Sequence, residues 1–240
     1  MKQMLSLYRS TLGKKMVVAL TGVLLFGFVI GHMAGNLKTF AGVGEGGVHK
    51  LDHYAHFLRA MGAEMLGTGN LLWLFRIGLL GALILHVVTI FQLQARNRGA
   101  RPVEYSAYSP KASSIASRSM LLGGIVILAF VVFHLAHLTL GVVSPTLFEH
   151  GHVYSNVYNA FKNPLYVGVY SVALIFLGLH MYHGLWSLTQ TLGIDRPDRN
   201  AALRGGAKAL AIVITLGFLA VPLGVFSGMT MEPPTEFLNH

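Results

Sequence analysis

The sequence predicts an all-α integral membrane protein with five transmembrane helices. Three observations carry this. The 240 residues are 53% hydrophobic and only 11% charged, with a mean hydropathy of +0.58, whereas soluble domains carry about 25% charged residues. Five apolar stretches each reach the roughly 20 residues that a helix needs to cross a bilayer. The first four each hold a histidine at membrane depth, where an imidazole is costly unless something binds it.

The first span runs from about Met16 to Leu37 and contains His32. Before it stand Lys2, Arg9, Lys14 and Lys15 and no acid. No signal peptide is expected, because Met16 to Met33 is too long for an h-region and no small-residue cleavage site follows. A connection rich in glycine follows. Its second half, His49 to Leu66, places Leu51, Tyr54, Phe57, Leu58 and Met61 at helical spacing, as an interfacial helix would. The second span runs from about Leu71 to Gln94, with Arg76 and His86. A basic connection leads to the third, about Met120 to Val143, with His134 and His137. Residues 144–164 are nearly uncharged and read as a connection. The fourth span covers 165–191, is opened by Pro164, and holds His180 and His183 with no charged residue before Asp195. The fifth, about Ala209 to Gly228, contains Pro222 and no histidine. The chain forms a single membrane domain over 1–240, with no separate soluble domain.

Charge sets the orientation. The N-terminus and the second–third and fourth–fifth connections hold 13 of the 18 Lys and Arg, against 5 elsewhere. Such an excess marks the cytoplasmic side. The N-terminus is therefore expected inside and the C-terminus outside. The net charge of +9 lies in loops between apolar spans, so the partner it points to is membrane lipid and not nucleic acid. The absence of cysteine excludes disulfides, thiolate-bound iron–sulfur clusters and covalently attached haem within this chain.

Orientation converts to depth at about 1.5 Å per residue. His32 and His134 lie roughly 22 Å from the inner surface, and His86 and His180 roughly 12–18 Å. The four sort into an outer and an inner pair, about 4–10 Å apart in depth. Each pair comes from two helices running the same way, as two stacked bis-histidine b haems within the first four helices would require. Bis-histidine ligation leaves no open iron position, so such haems pass electrons and do not bind oxygen. Gly27, Gly31, Gly35, Gly78, Gly81, Gly123, Gly124, Gly178 and Gly184 would admit a flat macrocycle, and equally serve as helix contacts.

Other readings stand beside this one. A bond to a neighbouring helix accounts for any one histidine taken alone, though less well for four at matched depths. His134/His137 and His180/His183 are i, i+3 pairs that also suit a metal. Spacing alone does not choose the ligand within either pair. A membrane di-iron desaturase or hydroxylase would cluster many histidines on one aqueous face, which this chain does not. A haem-free structural anchor would use the histidines only for packing. Arg76 either snorkels or pairs with an anion such as a haem propionate.

Several stretches together resemble one family: Gly31-His32-Met33-Ala34-Gly35-Asn36-Leu37-Lys38, Leu72-Trp73-Leu74-Phe75-Arg76, Asn97-Arg98-Gly99-Ala100-Arg101-Pro102, Phe133-His134-Leu135-Ala136-His137 and Leu179-His180-Met181-Tyr182-His183-Gly184, with Gln190-Thr191-Leu192-Gly193. Over nearly its whole length the chain resembles the di-haem cytochrome b subunit, of the b558 family, that alone anchors succinate dehydrogenase (succinate:quinone oxidoreductase). The resemblance implies five helices and one axial ligand in each of the first four. His32 and His134 would hold the outer haem iron, and His86 and His180 the inner. His137 and His183 become hydrogen-bond partners, to a propionate or to the ligands. The resemblance further implies an electron-transfer subunit of the respiratory chain in the bacterial cytoplasmic membrane. A flavoprotein subunit bearing FAD and an iron–sulfur subunit would dock on the cytoplasmic face, and succinate oxidation would occur there. The electron acceptor would be a quinone, menaquinone in particular, with His53, His56 and Glu64 as candidate outer-side contacts. The resemblance also allows a higher oligomer of the complex. Some di-haem relatives carry a glutamate two residues before the fourth ligand for a proton path. This chain has Gly178 there, so the resemblance does not extend to such a path.

Overall fold

Each long helix begins or ends on an identifiable local signal. The structure, a computed structural model, describes residues 8–100, 120–195 and 200–233. The first helix, α1 (Thr11–Asn36), starts where Ser10 Oγ accepts the Gly13 N–H at 2.9 Å, satisfying one of the orphan donors of a helix start. It passes into a 3₁₀ turn, Leu37–Phe40. The interfacial helix expected over His49 to Leu66 is present as α2 (Lys50–Ala60) and a single turn, α3 (Ala63–Leu66). His49 Nδ1 caps α2 by accepting the Leu51 N–H at 3.1 Å.

The second long helix, α4 (Asn70–Gly99), runs past Gln94. Arg96 and Arg98 fall in its last turn, where cations favour the negative end of the helix dipole. The third, α5 (Met120–His134), continues as a π-helical turn, Leu135–Thr139, and stops short of Val143. Gly141 then takes φ +71°, and a Cβ there would collide with Phe148, so only glycine ends the helix in this way. Residues 144–164 contain a helix that the sequence reading missed, α6 (Val153–Lys162), most of whose side chains are buried. The fourth long helix, α7 (Pro164–Thr191), begins with Pro164 in its first turn and Asn163 Oδ1 accepting the Leu165 N–H at 2.9 Å. The fifth, α8 (Asn200–Phe226), starts nine residues before the expected Ala209. Its first turns are polar, because a helix need not stop where its apolar stretch does.

Among the described residues, helices α1, α4, α5, α7 and α8 are the five long and apolar enough to cross a membrane. We call the end holding Ser10, Gly99 and Asn200 the near end, and that holding α2 and α6 the far end. The basic residues Arg101, Lys111, Arg118, Arg196 and Arg199 lie outside the described residues.

The core is off-centre. α7 packs along α8 and α5, and α1 packs along α4 and touches α7 and α8. One cluster joins Leu174, Met181, Ala211, Ile214 and Phe218 between α7 and α8. A second, at the far end, joins Leu51, Tyr154, Tyr158, Phe161, Tyr170 and Val225. By contrast, none of the most apolar stretch of α4 is buried, and only 6% of that in α1. α4 packs only against α1, α2 and α3; among the described residues it has no substantial contact with α5 or α7, nor does α1 with α5.

Candidate functional site

The helices that do not pack against each other are the ones that share histidines. His32 of α1 and His134 of α5 meet edge to face with ring centres 5.8 Å apart. Two imidazoles on opposite sides of one metal, each at about 2 Å from it, would put their ring centres about 6 Å apart. His86 of α4 and His180 of α7 approach closely enough to interact electrostatically. So His32 and His134 bridge α1 and α5 across a gap that the backbones leave open, and His86 and His180 lie near each other on α4 and α7 at the other level.

Three helices measure the spacing of the two levels. His86 bonds Thr21 on α1, eleven residues from His32. His134 bonds Tyr170 on α7, ten residues from His180. His180 lies beside Gly124 on α5, ten residues from His134. At about 1.5 Å per residue each gives roughly 15 Å along the helix axis. That exceeds the depth difference expected from sequence, because α1 and α4 extend beyond their apolar stretches and shift the ends from which depth was counted.

Hydrogen bonding sets the ring nitrogens. Thr21 Oγ1 donates to the Val17 carbonyl at 2.7 Å, so it accepts from His86 Nδ1 at 3.0 Å. That leaves a lone pair on His86 Nε2. Tyr170, 5% exposed, places its hydroxyl 3.2 Å from both His134 Nδ1 and His137 Nδ1. His180 Nδ1 and His183 Nδ1 are buried with no hydrogen-bond partner among the described residues, a costly condition that calls for a bound group or water. His183 stands edge-on to Trp186 at 6.1 Å. Gly27, Gly31, Gly78, Gly81 and Gly184 have no atom within 4 Å of where a Cβ would sit, so space is open along these helices. A histidine pair at each level, with open space along the helices, is the donor set that a haem at each level would need. Among the described residues, no group of three or more His, Asp or Glu could hold a metal ion directly.

The remaining candidates fall elsewhere. Arg76 is exposed and its guanidinium lies 5.0 Å over the Trp73 ring; it makes no ion pair among the described residues. His53, His56 and Glu64 are exposed at the far end on α2 and α3. The buried histidine of that region is His49, stacked on Tyr154 at 3.4 Å. Burial pushes the His49 imidazole down, opposed by Asp52 beside it. Asp52 also accepts the Tyr154 N–H at 2.9 Å, and the Tyr154 hydroxyl donates to the Met231 carbonyl. At the near end, Lys14 is buried, lies 3.9 Å over the Tyr8 ring and bonds Gln92. Sequence reasoning missed Tyr170, Thr21, His49 and Lys14. Tyr170 reads as core in an apolar stretch, and Thr21 as a neutral helix residue.

No family model, curated protein or solved structure matches this chain.

Proposed function

We propose that this chain is the membrane-anchoring, di-haem cytochrome b subunit of a succinate dehydrogenase complex. It passes electrons from an iron–sulfur subunit to a membrane quinone, menaquinone in particular. One observation carries the reading: two histidine pairs, at two levels, lie on helices that leave a gap between them, and the rings of one pair meet across it. His32 and His134 would hold the far-end haem, and His86 and His180 the near-end one. Each haem, when bound, would supply a one-electron couple. The chain's own contribution is to place the imidazoles, present the correct nitrogen through Thr21 and Tyr170, and keep lipid from the iron.

Lys15, Arg96, Arg98, Arg204 and Lys208 are exposed at the near end. This basic face is where the flavoprotein and iron–sulfur subunits, with FAD and the clusters, would dock on the cytoplasmic side. His53, His56 and Glu64, exposed at the far end, are candidate contacts for a quinone. The purified protein, reduced with dithionite, should give a b-type spectrum, and a pyridine haemochrome assay close to two haems per polypeptide. A ratio near zero would favour the haem-free anchor, and a ratio near one would break the two-pair scheme.

A further inference from the structure

We propose that Tyr170 is a positioning residue for the far-end site: it holds His134 in the tautomer that binds iron and sets the potential of that haem apart from the other. This rests on the haem reading above. The geometry is a fork. One phenol oxygen stands 3.2 Å from the Nδ1 atoms of both His134 and His137. A phenol has one proton to donate, and a neutral imidazole has one N–H. Tyr170 therefore donates to one histidine and accepts from the other, and the two rings carry opposite tautomers.

Position decides which is which. His134 faces His32 across the gap. His137 is 2% exposed and packs against Phe133 and Tyr166, at 5.4 and 4.3 Å. Iron binding through His134 Nε2 leaves the proton on Nδ1, which donates to Tyr170. The Tyr170 O–H then donates to His137 Nδ1, and His137 keeps its proton on Nε2. A ligating histidine that donates its other N–H is oriented and made more basic. The phenol itself is held by Phe130 and Phe161, each edge-on with ring centres 4.9 Å away. The π-helical turn Leu135–Thr139 begins directly after His134 and contains His137, and such single turns are frequent at functional sites.

The near-end site lacks this fork. His86 gives its Nδ1 proton to Thr21, whose own proton goes to the Val17 carbonyl. His180 has no such partner among the described residues. Removing one hydroxyl should therefore touch one haem only.

Tyr170→Phe keeps the ring and deletes the fork. Redox titration of the intact complex, with low-temperature optical and electron paramagnetic resonance spectra, should show two haems, one at a raised midpoint potential with an altered spectrum and the other unchanged. Loss of the oxygen acceptor makes His134 a weaker donor to iron, which favours the reduced state. Thr21→Val should move the other haem instead. His137→Phe, which leaves the His134–Tyr170 bond, should shift the first haem in the same direction but less. That variant keeps the test open if Tyr170→Phe fails to accumulate. Unchanged potentials in Tyr170→Phe or His137→Phe, or Tyr170→Phe and Thr21→Val moving the same haem, would overturn the assignment. A wild-type complex without haem would instead sink the haem reading itself.

Discussion

At the level of single residues, the choice between i, i+3 neighbours is decided by what each imidazole meets. His134 meets His32 edge to face, and His180 lies near enough to His86 to interact electrostatically. His137 and His183 face aromatic rings, Tyr166 and Trp186. The first member of each pair is therefore expected to hold iron and the second to support it. His180→Ala should lose the near-end haem and His134→Ala the far-end one, while His183→Ala and His137→Ala should each retain two. Haem content of the four variants decides it. Two haems surviving in His180→Ala, with one lost in His183→Ala, would reverse the choice. The histidines themselves were legible, since an imidazole in an apolar run stands out. Their supports were not, because a tyrosine or threonine in such a run looks like any packed side chain.

At the level of elements, α7 and α8 approach closely because both present small groups. Thr215 Oγ1 bonds back to the Ala211 carbonyl at 2.7 Å and fills the place a Cβ on Gly178 would take. A larger side chain at position 178, a glutamate included, would therefore have no room. Gly178→Leu should force the two helices apart, at about 1–3 kcal/mol for an overpacked contact, read as a lower thermal midpoint in detergent. Gly205→Ala, where an added Cβ meets nothing within 4 Å, should hold or raise it, since glycine costs a helix about 1 kcal/mol against alanine. An unchanged midpoint in Gly178→Leu would mean that the α7–α8 contact is not close. The five long helices and the interfacial α2 were readable from apolar length and 3.6-residue spacing. Helix α6 was not, because it spans only ten residues and its apolar stripe, Val153, Val157, Ala160 and Phe161, is interleaved with Ser155, Asn156 and Asn159, so the segment reads as a polar connection. The end of α5 was missed for a related reason: Gly141 stops the helix within an apolar run.

For the whole molecule, the distribution of Lys and Arg predicts a near end inside and a far end outside. Thr68 is exposed at the far end and Ala201 at the near end. In intact cells, Thr68→Cys should react with an impermeant thiol reagent and Ala201→Cys should resist it, a contrast of at least severalfold in labelling. The reverse pattern would invert the orientation and exchange the outer and inner haems.

Composition, span length and histidine placement by themselves determined that the chain is all-helical, that it has five helices able to cross a membrane, and which four positions fall into two depth pairs. These are local quantities: apolar run length, helical rise and the cost of a polar group in an apolar stretch. Only the tertiary structure decided that α1 and α5, and α4 and α7, stand apart, with the imidazoles of His32 and His134 meeting between the first two. Only it placed Tyr170 between His134 and His137, Thr21 under His86 and α6 in the far-end core. Each of these depends on which faces of distant helices come together. Sequence spacing along one helix carries no record of that, because a bilayer accepts any apolar face turned outward and so leaves the inward face unmarked.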